Sequence, residues 1–472
     1  MVTQPKRRIA LGLFVLGWGA AIPAGCSSGD DAGETKLTLQ ISGSGSIDCS
    51  PGGNYAQSDM PATVPFTEPT LVQLTATPAE GWSFAGWSGD TTSTSNPAVV
   101  MVTGSMDVLA LFEEDGAPPT TTITSDINVD TSIPAGTYLV ESDVYVYGGA
   151  TLTLQPGVHI QFGRSARLII EDDGVASFVG TATAPIVLTG QDATPGFWQG
   201  VFFSDSNSTS NVLEYVTVEY AGNEDDTSSG DLVIEQGTRL ALRHCTLRHS
   251  AGVGLAVRNN EYEARLTLEN NVLTDNAMGA ATVLIQQVEA LNATNTFSGN
   301  TRERVLLGAG TDQTLTRDTT MPALDVDYQV TGSIYLEAHL TIAPGVRMLF
   351  EDDLLLDVTD AGILTAVGTA AEPIVFSAVD PTPGYWMGIN FGDSNSVSNI
   401  MQYFVVEYAG QNTPWSHGAI VVWNGSRVQI DHGTVRGGEG WGIWIRGANY
   451  NADIATANSF ADNAAGDFHL EE

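Results

Sequence analysis

Glu219 and Glu407 stand in identical VEYAG runs 188 residues apart. The same interval separates Arg248 from Arg436, His244 from His432, and the DSNS stretch at Asp205 from that at Asp393. A carboxylate, an imidazole and a guanidinium kept twice could be acid–base machinery. Glycoside hydrolysis, however, needs two carboxylates across one bond, and each Glu lies alone. Period-2 alternation turns Val218 and Tyr220 inward and leaves Glu219 facing solvent. The oxygens of Asp205, Asn207, Asp393 and Asn395 could hold a cation, but the same residues make Asx turns. The EDD runs at 171 and 351 break the 188-residue register: Asp172 falls opposite Asp360, and Asp352 opposite Arg164. A cation site preserved by duplication would not drift in this way. His244 falls where a neighbouring repeat has Asn270, which points to side-chain stacking at a turn. No nucleophile elbow, zinc motif, phosphate loop or dinucleotide fingerprint occurs. The sequence therefore assigns no catalytic residue, metal ligand or cofactor, and any Ca2+ binding would be adventitious.

The tryptophans carry a different signal. Trp198 and Trp386 are a matched pair inside TPG-aromatic-W-x-G, and read as core or corner anchors. Trp415, Trp423, Trp441 and Trp444 have no matched partner; Thr227, Glu235, Val253 and Ala256 occupy the equivalent positions. Alternation places Ile420, Val422, Ile443 and Ile445 inward, so Trp423, Trp444 and Arg446 point out. Trp423 then lies beside Arg446 and diagonal to Trp444. Aromatic faces beside a guanidinium suit a sugar ring or a protein partner. The alternative is that these rings cover the exposed end of a sheet.

The elements that must position these residues are strands. Gly 51 and Pro 20 of 472 residues, with abundant Thr, Ser and Val, suit a turn-rich all-β protein. After residue 123 the chain is a tandem duplication, with one copy at 124–311 and another at 312–472. Near the end TNTFSGN aligns with ANSFADN, placing Asn295 opposite Asn458 at an offset of 163, a deficit of 25 residues. LRHCTLRHS, LENNVLTDN and TNTFSGN recur at steps of about 24–26 residues, the length of one β-helix coil. On this alignment copy two has lost one whole coil. LTLQPGVHIQF, GTATAPIVLTG and GFWQGVFF, with their counterparts LTIAPGVRMLF, GTAAEPIVFSA and GYWMGINF, resemble the pectin-lyase-like class. That resemblance spans about 350 residues and implies a long right-handed parallel β-helix. The scaffold hosts lyases, hydrolases, adhesins and passive stalks alike. Many lyases of the class use an Arg or Lys base beside calcium held by clustered acids, and those acid clusters are missing here.

Ahead of the duplication lie an acidic linker at 115–123 and a module at 36–114. LTATPAEGWSFAGWSGD in this module resembles the bacterial repeat domain related to the internalin B-repeat, a small β-rich unit of surface proteins. The cysteine pair that members often carry is absent, so Trp82, Phe84 and Trp87 must fill its core. Leu71–Thr77 alternates as a half-buried strand. At the start, Lys6, Arg7 and Arg8 precede a short apolar run and small residues, the pattern of a secretory signal over 1–25. Gly25-Cys26 and the polar tether at 26–35 resemble a bacterial lipobox, which implies lipidation at Cys26. Pro23 replaces the usual aliphatic residue, and plain cleavage near Ala24 is the alternative. Cys49 and Cys245 are then the remaining cysteines and read as buried, unpaired thiols.

With 18 basic against 55 acidic residues and a net charge of −37, the chain repels nucleic acid and anionic polymers. The sequence thus predicts an exported, lipid-anchored monomer at the outer membrane or cell surface. Its predicted role is non-catalytic adhesion or glycan and partner binding through a polysaccharide or surface protein. A polysaccharide lyase or glycoside hydrolase is the alternative, and a structural envelope protein the second.

Overall fold

The computed structural model describes residues 35–79, 81–114, 121–223, 226–258, 264–411, 413 and 416–471. The signal-like segment, Cys26 and Trp415 lie outside the described residues. Among the described residues no helix is long and apolar enough to cross a membrane. The chain is nearly all β and forms two compact units, divided after Ala117.

The first unit consists of two four-stranded sheets. Thr70–Pro78 contains the expected alternation: Val72, Leu74 and Ala76 are buried, while Leu71 is exposed. These residues pack with Leu37, Leu39, Ile47, Val100, Val108 and Phe112. Trp87 is buried 5.2 Å from the Phe84 ring, and its indole N–H donates to the Ser95 carbonyl at 3.0 Å. An aromatic core thus stands where a disulfide is absent. Cys49 is a free buried thiol, pushed up to about 11 by desolvation and then by Asp48.

The second unit is a parallel β-helix in which each coil has three short strands. In copy one, Thr151–Leu154, Val158–Phe162 and Arg167–Ile170 are the first, second and third strands of one coil. Their counterparts in copy two are His339–Ile342, Arg347–Phe350 and Leu355–Thr359. Each strand pairs in parallel with its equivalent one coil away, as Ile160 does with Leu188 and Leu188 with Val218. Alternate residues enter a continuous apolar core that runs from Ile127 to Ile454. No coil buries its own apolar face; stacking at about 4.8 Å completes core and ladder together.

The copies do not stack face on face. A 13-stranded sheet begins with six third strands of copy one, Val144–Val146 to Gly279–Val283. It then continues through Arg304–Leu307 into the second strands of copy two, ending at Ser459–Ala461. The other two columns stop at the junction. There a 3-10 segment, Ile285–Ala290, replaces a first strand, and the single bridge Val272–Thr296 replaces a second-strand ladder. Ile285, Val288, Leu291 and Phe297 keep the core filled across this gap. Copy two is therefore shifted by one face around the helix axis, and equivalent residues of the two copies open in different directions.

The expected loss of an internal coil is not found. Ser459–Ala461 pairs with Thr434–Arg436, as Val272–Thr274 pairs with Thr246–Arg248. The Asn458 side-chain oxygen accepts from Gly433 N–H at 2.8 Å, as that of Asn271 accepts from Cys245 N–H at 2.9 Å. Asn458 thus takes the place of Asn271 rather than Asn295. The two Asn-rich coils look alike because both use the same corner hydrogen bond.

Candidate functional site

The repeated polar residues resolve into structure. Trp198 is fully buried, stacks on Phe162 at 4.0 Å, and donates its indole N–H to the Glu219 carbonyl at 2.9 Å. Trp386 repeats this on Phe350 at 4.0 Å and the Glu407 carbonyl at 2.9 Å. Gly200, at φ +103°, explains the glycine after each Trp: a Cβ would sit 2.5 Å from the Gly230 carbonyl oxygen of the next coil. His244 and His432 occupy left-handed corners and stack on Tyr215 and Tyr403, each at 4.7 Å. In the DSNS turns, Ser206 donates to the Gly174 carbonyl, and Ser206 Oγ accepts from the Asn211 amide at 2.7 Å. Ser394 and Asn399 repeat both bonds. Cys245 is free and buried, and desolvation pushes its thiol up to about 12.

Glu219 departs from the expectation of a solvent-facing carboxylate. It is 9% exposed and forms a 2.7 Å ion pair with Arg248. Val218 does point inward, but Tyr220 turns left-handed at φ +64° and stacks on His249 at 5.0 Å. The alternation ends at Glu219 because the strand ends there. Glu407 pairs likewise with Arg436 and accepts from Ser377 Oγ at 2.9 Å.

Copy one holds an acid that no motif or spacing singles out. Asp231 has no exposed surface; its Oδ1 accepts from Ala221 N–H at 3.2 Å, and among the described residues its Oδ2 has no partner. Desolvation holds its carboxyl well above the usual range, against the backbone bond from Ala221, and Glu219 adds to the rise. Ala419 fills the equivalent position in copy two.

Trp423 and Trp444 lie on the outer face of the third strands of copy two. Trp423 pairs across the ladder with Arg446, and Val421 with Trp444. Trp444 leaves the core as expected, yet it is only 3% exposed. His417 stacks on it at 4.7 Å and Trp423 meets it edge-on at 6.3 Å. This corrects its reading as a free outward ring: alternation decides which side of a sheet a residue takes, not what covers that side. Trp423 is half-buried, and Arg446 keeps 59% of its side chain exposed beside Glu471 at 3.6 Å. On the same face, Asn390 donates to Asp357 at 2.6 Å, while Asn390 Oδ1 is buried with no partner among the described residues. Desolvation raises the Asp357 carboxyl, and the Asn390 bond offsets part of the rise.

The third strands of copy one carry a cluster that sequence reasoning missed. The half-buried ring of Phe202 lies 5.7 Å from both the Arg167 and the Arg258 guanidinium carbons. These three residues, with Asp143, Gln199 and Asn223, line a cleft of about 480 Å³. Arg167 pairs with Asp143 at 2.6 Å and Arg258 with Glu235 at 3.5 Å. The available signal was that Arg258 matches Arg446; the matching of single tryptophans hid it. Among the described residues no group of three His, Cys, Asp or Glu side chains is placed to hold a metal ion.

Residues 121–234 match the family model of the pectate-lyase like beta helix domain, and residues 36–116 that of the divergent InlB B-repeat domain. No curated protein matches the chain. Among solved structures, Dex49A from Penicillium minioluteum aligns over 90% of this chain and 72% of its own, at 10% identity and a TM-score of 0.20. A likeness that loose carries no argument about activity.

Proposed function

We propose that this protein is an exported, surface-displayed glycan-binding protein without catalytic activity, and that Trp423 and Arg446 form its ligand surface. Cys26 anchors it to the membrane, and along the chain the B-repeat-like module comes after Cys26 and before the β-helix. The observation that carries the reading is the half-buried Trp423 indole directly across the ladder from the exposed Arg446, braced by the buried Trp444. A ring held in this way loses little freedom on binding and offers an apolar face beside hydrogen-bond donors.

The carboxylates support a non-catalytic role. Glu219 and Glu407 each face an arginine rather than a second acid. Asp143 lines the copy-one cleft and Glu235 pairs with its Arg258, from coils three steps apart. Three coil spacings are about 14 Å, beyond the ~5–9.5 Å over which two carboxyl groups cooperate in glycoside hydrolysis. The test is to pass the secreted chain over immobilised neutral polysaccharides and uronate polymers while assaying release of reducing ends and unsaturated sugars. Retention without product release is expected. Turnover of any of these polymers would overturn the reading.

A further inference from the structure

We infer that the Arg167–Phe202–Arg258 cleft is a second carbohydrate site, taking one ring of a neutral glycan and opening from a different face than the Trp423–Arg446 surface. The inference rests on the glycan-binding reading above and extends it to copy one. Arg258 and Arg446 are equivalent residues, each at the end of a third strand with its side chain on the outer face. In copy two Arg446 lies across the ladder from Trp423. In copy one it is Glu235 that lies across from Arg258, and the aromatic partner is Phe202, two coils back. Both copies therefore set an aromatic ring near the same guanidinium, by different residues.

The chemistry of the cleft selects the ligand class. Both guanidinium groups are already matched by carboxylates, Arg167 by Asp143 and Arg258 by Glu235, and Arg258 also donates to the Ser228 carbonyl. The cleft is thus a set of fixed donors and acceptors around an apolar ring, with little net charge. That set suits vicinal hydroxyls and the C–H face of a hexose. A uronate or sulfated ring would meet Asp143 and Glu235 within a chain of net charge −37. The ring is held from the side: Val233, Val253, Ala256, Met278 and Leu306 form a second apolar cluster outside the main core, and Phe202 packs against it on the same outer face.

The one-face shift between the copies gives this second site its consequence. The cleft lies on the 13-stranded sheet, whereas Trp423 and Arg446 lie on the separate seven-stranded sheet of third strands from copy two. One straight glycan strand cannot run along both, so the protein holds two strands at once.

The test is calorimetric titration of the full mature chain with cellohexaose, maltohexaose, mannohexaose and trigalacturonate. Two oligosaccharide molecules bound per chain are expected with at least one neutral oligosaccharide, and none with trigalacturonate. Phe202→Ala and, separately, Arg258→Gln should each lower the count to one while unfolding at the wild-type temperature within a few degrees. Trp423→Ala should lower it to one independently, and Phe202→Ala with Trp423→Ala to none. A count of one in wild type, unchanged by Phe202→Ala and Arg258→Gln, overturns this inference and leaves the Trp423 reading intact. Preference for trigalacturonate overturns the ligand class. No binding of any of the four overturns the glycan-binding reading itself.

Discussion

In copy one the third strands carry Phe202, Val233 and Ala256 on their outer face; in copy two the same positions hold Asn390, Val421 and Trp444. Inside, the two faces are nearly interchangeable: Phe203 and Phe391, Leu232 and Ile420, and Leu255 and Ile443 are all buried. The interior has stayed fixed because each inward residue contacts the coil above and the coil below, so a change of volume is felt on both sides. The exterior has no such constraint. Duplication thus left two copies of one stack with two different surfaces, and the one-face shift at Ile285–Ala290 aims those surfaces in different directions.

The sharpest contrast lies between tryptophans that recur and those that do not, and substitutions can break it. Trp198→Ala and Trp386→Ala should each cost about 3–5 kcal/mol, the range for emptying a buried aromatic site. Equal losses in chemical unfolding would show that the copies share one anchor. Trp444→Ala should come next, at about 3 kcal/mol, since His417 and Trp423 both pack on that ring. An effect under about 1 kcal/mol would return Trp444 to the exposed surface.

Asp231 sharpens the comparison through pH. Its raised pKa means that the folded chain keeps a proton that the unfolded chain loses near 3.8. Its contribution to stability is therefore present at low pH and falls as pH rises from that value towards the folded pKa. Asp231→Asn should remove the slope, making the variant gain on wild type between pH 4 and pH 7 in thermal melts. Parallel pH curves would contradict the burial. The smallest effects belong to the ion pairs. Glu219→Gln should cost about 1 kcal/mol and Glu407→Gln less, because Arg436 is more exposed than Arg248 and solvent screens the pair.

The β-helix, the duplication and the role of the repeated Trp were legible in the sequence, because each rests on local alternation and a fixed spacing. The shift between copies was not. Spacing says which residues are equivalent, but which column a strand joins depends on one turn, and Ile285–Ala290 has no counterpart in the repeat pattern. The same limit explains Tyr220, where a left-handed residue ends the alternation, and Trp444, where cover arrives from His417, just ahead of the paired strand on the neighbouring coil. The Phe202 cleft escaped notice because its three residues come from three different coils and match nothing as a group.

The most direct test of the account is Trp423→Ala, read in one preparation for thermal stability and for affinity to the best-bound neutral oligosaccharide. The ring is only half-buried and, among the described residues, belongs to no core cluster. The account predicts a loss of affinity of at least tenfold, with stability changed by less than about 1 kcal/mol. A clear drop in stability with affinity unchanged would make Trp423 one more structural tryptophan and contradict the distinction between repeated anchors and unrepeated ligand surfaces.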